Sequence, residues 1–167
     1  YYSLTAGGGS GIKTLGGDVT VDNDLVINAD VTVDVSGNDY AVNIGRNLTN
    51  AGTFTSRDGT VTFSGTVNQA LTSAGSTFNN IVFANTGGVD KVLAIIDNLD
   101  IDGDLTVTSG AFDITGAIDV ALSGNLSIAN GADWTKGDGT LTFNGTTQTF
   151  ADGNATPKNL GNISINQ

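Results

Sequence analysis

The chain has 167 residues, with 17 acids against six scattered cations and a net charge of −11, so it carries no basic surface for nucleic acid or anionic lipid. It has no His and no Cys, which removes most general bases, the thiol nucleophiles and any disulfide framework. Every acid is Asp, Gly occurs 24 times and Pro once, a bias toward strands and tight turns and away from helices.

Residues 1–11 read as an N-terminal extension. Tyr1, Tyr2 and Leu4 are apolar, a Gly-rich hinge follows, and the segment has no internal equivalent. An apolar segment on a flexible hinge suggests a strand added to a neighbouring subunit, the alternative being a tail folded back on its own first turn. From residue 12 onward the chain is a series of short runs with apolar side chains at every second position, the signature of strands with one buried face. Leu105/Val107, Phe112/Ile114, Ile118/Val120/Leu122, Leu126/Ile128 and Leu141/Phe143 are examples. Gly, Asn and Asp stand between the runs, where sharp corners need left-handed backbone.

The chain is also a tandem duplication. Residues 58–66 and 138–146 match at seven of nine positions, an offset of 80 residues. The same offset pairs Ile12, Leu15 and Val19 with Val92, Ile95 and Leu99, and Phe54 with Trp134; near the end, Phe83 pairs with Ile165 at an offset of 82. Repeat one covers about 12–91 and repeat two about 92–167, together one domain.

Within the repeats, similar strands recur about every 20 to 23 residues: Leu105 to Leu126, Phe112 to Trp134, Ile118 to Leu141. That length suits a coil of three short strands and three turns, each strand stacking on its equivalent one coil later. The sequence therefore predicts an all-β fold, a parallel β-helix (β-solenoid) of about eight coils. Asn-rich corners such as Asn79-Asn80 are expected to form hydrogen-bond ladders between coils, and the Phe and Trp side chains to stack in the core.

Segments 103–114 and 124–131, with Leu105, Val107, Phe112 and Ile114 and then Leu126 and Ile128 at alternate positions between Gly, Asn and Asp corners, resemble the repeats of secreted bacterial adhesins. The resemblance is to filamentous-haemagglutinin-like and autotransporter-passenger-like β-helices. It implies a right-handed coil, as parallel crossovers generally prefer, an extracellular or cell-surface location, and a stalk or fibre role.

No amphipathic capping helix stands at either end, so the terminal coils are expected to expose core and unpaired backbone. This singles out Tyr1, Tyr2, Leu4, Ile12, Leu15, Ile163 and Ile165 as subunit-interface residues of a head-to-tail homopolymer, which does not close and so grows as a filament. Asp100, Asp102 and Asp104 form a possible Ca²⁺ site of hard oxygen ligands, with solvated strand-face Asp as the plainer reading. No other cofactor is suggested. The pairs Thr53/Thr55, Thr60/Thr62, Thr106/Thr108 and Thr140/Thr142 would make a glycan- or ice-binding ladder only if they shared one face. The expected function is a non-catalytic structural subunit of an extracellular fibre. The alternatives are an adhesin stalk or glycan-binding module, and a polysaccharide-active β-helix enzyme.

Overall fold

The computed structural model describes residues 1–166, and among them there are 22 strands and no helix. The first three coils carry β1 (Leu4–Ala6), β2 (Gly11–Thr14), β3 (Val19–Val21), β4 (Leu25–Ile27), β5 (Val31–Asp34), β6 (Val42–Ile44), β7 (Leu48–Asn50), β8 (Thr53–Thr55) and β9 (Thr60–Phe63). The next two carry β10 (Gln69–Thr72), β11 (Thr77–Phe78), β12 (Asn80–Ala84), β13 (Val92–Ile95), β14 (Leu99–Ile101) and β15 (Leu105–Ser109). The remainder carry β16 (Ala111–Asp113), β17 (Val120–Leu122), β18 (Leu126–Ile128), β19 (Asp133–Thr135), β20 (Thr140–Phe143), β21 (Phe150–Asp152) and β22 (Asn162–Ile165).

Strands pair always in parallel, each with the strand three places on except that β8 and β11 do not pair and β20 pairs with β22, which makes the molecule a β-solenoid of about eight turns with three faces. The first face is β1-β4-β7-β10-β13-β16-β19, and the third is β3-β6-β9-β12-β15-β18-β21. The second face is two ladders, β2-β5-β8 and β11-β14-β17-β20-β22, joined where Phe54 of β8 stacks on Phe78 of β11 with ring centroids 5.3 Å apart. Rungs recur every 19 residues at the shortest (Val92 to Ala111) and 25 at the longest (Ala84 to Ser109, just past a bulge in the register). Two of the spacings read from the sequence are ladder pairs, Leu105–Leu126 and Phe112–Trp134. The third is corrected by two residues, since Leu141 pairs with Val120 rather than Ile118.

The core follows from the period of two. Along the third face the inward column is Val21, Ile44, Phe63, Phe83, Val107 and Ile128, none more than 1% exposed. Along the first face Phe112 and Trp134 stack with centroids 5.1 Å apart, and the buried Trp134 Nε1–H has no hydrogen-bond partner. At the corners, close stacking leaves no room for side chains. A Cβ on Gly65 would strike the Gly45 carbonyl one coil earlier, and one on Gly45 would strike the Asp22 carbonyl.

The duplication and the coil are out of phase. The matching segments 58–66 and 138–146 hold β9 and β20, eleven strands apart, and three strands make a coil. One repeat is thus three coils and two faces, so β9 lies on the third face and its copy β20 on the second. Equivalent residues of the two repeats do not share a face.

The N-terminal segment is part of the solenoid, not an arm reaching away from it, which corrects the boundary expected at residue 12. Leu4, Thr5 and Ala6 pair with Leu25, Val26 and Ile27 of the same chain. Tyr1 sits opposite Val21: its ammonium donates to Thr20 O at 2.6 Å, and Asp22 N donates to Tyr1 O at 2.7 Å. These bonds satisfy an edge that would otherwise be open, the reason the segment folds back.

Candidate functional site

The acidic trio does not converge. Asp100 points outward from β14 and accepts a bond from Thr77 Oγ1 at 3.1 Å. Asp102 lies exposed in the following turn. Asp104 is occupied at the next corner, accepting from Asn125 N at 2.7 Å and Asn125 Nδ2 at 3.0 Å. Among the described residues no three acidic, His or Cys side chains are placed to hold a metal ion.

Asp104 instead belongs to a polar ladder that ties successive coils together. Asp104 N donates to Asn80 Oδ1 (2.9 Å), and Asn125 bonds to Asp104. Thr149 donates through both N and Oγ1 to Asn125 Oδ1 (2.9 Å each). A second ladder runs through Asn98, Asp119 and Thr140. Acceptor side chains at corners take up backbone N–H groups that the ladders of the faces leave over. The corner role read for Asn80 is thus observed.

The sides offer little to a glycan or an ice lattice. Phe54, Phe63, Phe78, Phe83, Phe112, Trp134 and Phe143 are buried in the core and present no ring to a sugar, whereas Phe150 is exposed at the C-terminal end. Thr20, Thr62 and Thr106 share one outward column of the third face, but Asn43 and Val82 interrupt it. Thr53 and Thr142 lie on the second face.

The ends are different. At the N-terminal end an apolar cavity of about 270 Å³ opens among Leu4, Ala6, Leu15, Val19, Leu25 and Val33, with Lys13 at its mouth. At the C-terminal end a cavity of about 430 Å³ is lined by Phe143, Phe150, Leu160, Ile163 and Ile165, with Lys158 beside it. Both are the solenoid core seen end-on. Ile163 and Ile165 pair with Leu141 and Phe143 and face inward, yet they are 51% and 72% exposed because no rung covers them. Tyr1 and Tyr2 project at the opposite end, 71% and 78% exposed.

Not every predicted end residue faces the core. Leu4 and Leu15 line the N-terminal cavity, but Ile12 points outward, 67% exposed. β2 pairs with β5 so that Ile12 stands beside the outward Thr32 and Lys13 beside the buried Val33. The interior-facing positions of the first rung on this face are therefore Gly11 and Lys13.

The C-terminal end is also modified. Residues 154–161 cross the first face without forming a strand, and this stretch holds Pro157, the one residue that cannot donate to a ladder. Leu160 nonetheless turns inward, 6% exposed. Asp152 anchors the crossing by accepting from Lys158 N (2.6 Å), Asn154 N (3.0 Å) and Asn154 Nδ2 (2.8 Å). These donors, Lys158 N first, hold its carboxyl below the ordinary aspartate range. Lys158 Nζ pairs with Asp133 at 3.0 Å.

No protein-family model, curated protein or solved structure matches this chain. The class that the fold itself defines is a parallel β-solenoid with an open apolar end at each terminal rung.

Proposed function

We propose that the protein is a non-catalytic structural subunit of an extracellular fibre and that copies join end to end through the terminal rungs. The observation that carries this reading is the match between the two ends. The winding begins with Tyr1 on the third face and closes with β22 on the second, the position just before the third in winding order. The rung formed by Tyr1, β1 and β2 can therefore continue the rung formed by β21, residues 154–161 and β22, with no face skipped. Each open core then covers the other.

Magnitudes show which interactions the joint needs. Covering Phe150, Ile163 and Ile165 contributes at most about 1.5–3 kcal/mol each, and less because they are already partly shielded. Association costs about 4–15 kcal/mol in lost freedom of motion. Apolar contact alone leaves the balance near zero, so the joint depends on strand pairing between the β22 and β2 edges as well. The side surfaces, with their interior aromatics and self-satisfied corners, fit a spacer better than a binding module. The adhesin-like repeat style suits an extracellular fibre.

Sedimentation velocity and negative-stain microscopy across a concentration series test the reading. End joining gives filaments one solenoid wide that lengthen with concentration. A chain that stays monomeric at every concentration sinks it.

A further inference from the structure

We infer that Lys13 limits end-to-end joining: it is an interior-facing charge that must be buried each time two ends meet. The inference rests on the end-joining reading and names the residue that regulates it.

Three observations lead there. First, Lys13 is opposite Val33, whose side chain is 5% exposed, so its stem projects over the core and lines the mouth of the N-terminal cavity. Second, the duplication supplies an internal reference. At the offset of 80 residues Lys13 corresponds to Leu93, a core residue with no exposed surface. The equivalent position thus carries Leu on β13, which is paired on both sides, and Lys on β2, which is paired with β5 at the edge of its sheet. Third, among the described residues no carboxylate forms an ion pair with Lys13 or with Lys136, while Lys91, Lys158, Arg46 and Arg57 each have one, and of the two unpaired cations Lys13 is the one that lines an end cavity.

In the separate molecule Lys13 costs nothing. Its ammonium reaches water while its methylenes lie along the apolar rim. In a joint the inward column of the second face would set Ile165 of one copy against Lys13 of the next, and the ammonium would lose its water against a column, Phe143 and Ile165, that offers no acid. Burying an unpaired charge is strongly unfavourable. Inward-pointing Lys on a terminal strand is a known way to discourage edge pairing. Pro157 and the strandless crossing of the first face play the corresponding part at the other end.

The test compares the critical concentration for assembly of the full chain with that of three variants. Lys13→Leu, which copies Leu93, is expected to assemble at a concentration lower by about tenfold or more. Lys13→Ala removes the charge without adding apolar volume and should shift the same way by less. Lys13→Arg keeps the charge and should match the wild type. As a folding control, Leu93→Lys in a covered coil should lower the melting temperature sharply, whereas Lys13→Leu should not lower it. If the wild type assembles and Lys13→Leu assembles no better, the role of Lys13 is overturned while end joining stands. If the wild type stays monomeric at every concentration, end joining by the native chain falls, and assembly of Lys13→Leu alone would then show that Lys13 is what prevents it.

Discussion

Phe83 and Ile165 are counterparts in the two repeats, and both face inward, yet one has no exposed surface and the other is 72% exposed. Phe83 has a rung on each side, Phe63 before it and Val107 after it, whereas Ile165 has Phe143 on one side and nothing on the other. Burial in a solenoid is thus a property of the neighbouring coil rather than of the residue, because each coil completes its core only through the next one. The middle coils are covered on both sides and the terminal coils on one, so a substitution in the middle coils disturbs more packing.

Substituting this pair separates the two regions most strongly. Phe83→Ala should destabilise the chain by about 3–5 kcal/mol, the cost of lost burial plus an unfilled cavity. Ile165→Ala should cost less than about 1 kcal/mol in dilute, monomeric protein. Urea denaturation reads both. Similar losses at the two sites would mean that the terminal rung is covered after all.

A smaller version of the same contrast lies in two glutamines. Gln69, 2% exposed, donates to the Ile44 and Arg46 carbonyls at 3.0 Å each and accepts from Gly65 N and Asn85 Nδ2. Gln148 makes the equivalent bonds near the open end, to the Leu122 and Gly124 carbonyls and from Gly145 N, but is only half-buried. Removing Gln69 strands buried groups, and Gln69→Ala should cost about 2–3 kcal/mol. Water can reach the groups that Gln148 serves, so Gln148→Ala should cost about 1 kcal/mol. Amide hydrogen exchange at Gly65 and Gly145 would show the difference locally.

Alternation and spacing carried the fold in the sequence because both are imposed on every coil. Leu105 to Leu126 is read correctly since β15 and β18 carry matching inward pairs, Leu105/Val107 and Leu126/Ile128, and Phe112 to Trp134 since each is the one aromatic of its strand. Ile118 to Leu141 slips because Ile118, Val120 and Leu122 share one parity, and only the corner geometry chooses among them. Two further features were hidden. The phase between an eleven-strand repeat and a three-strand coil cannot be seen without knowing which corners count as turns. The orientation of β2 runs against hydrophobicity, with Ile12 outward and Lys13 inward, since a terminal strand takes its register from a single neighbour, β5. A signal for it existed, as Lys13 falls on Leu93 at the repeat offset.

The smallest expected effect again compares the two repeats. In the first, Arg57 grips the Asp34 carboxylate one coil away through Nε and Nη2 at 2.6 and 2.7 Å, and Ser36 N donates to the same group. In the second, Lys136 stands 23 residues after Asp113, as Arg57 does after Asp34, but no ion pair joins them among the described residues. A planar guanidinium spans a carboxylate with two bonds, which an ammonium cannot do. The Arg57 hydrogen bonds, chiefly, hold the Asp34 carboxyl below the ordinary aspartate range. A lowered folded-state pKa means that the pair's stabilisation is fully present above the ordinary aspartate value of about 4 and is lost as pH falls through the lowered one. Arg57→Gln should therefore melt below the wild type at neutral pH by less than Gln69→Ala does, and the gap should close in strong acid. Lys136→Gln should show no such pH-dependent gap. Melting curves for both variants between neutrality and pH values below the aspartate range check this, and a gap that persists undiminished in acid would show that Arg57 acts through packing rather than through charge.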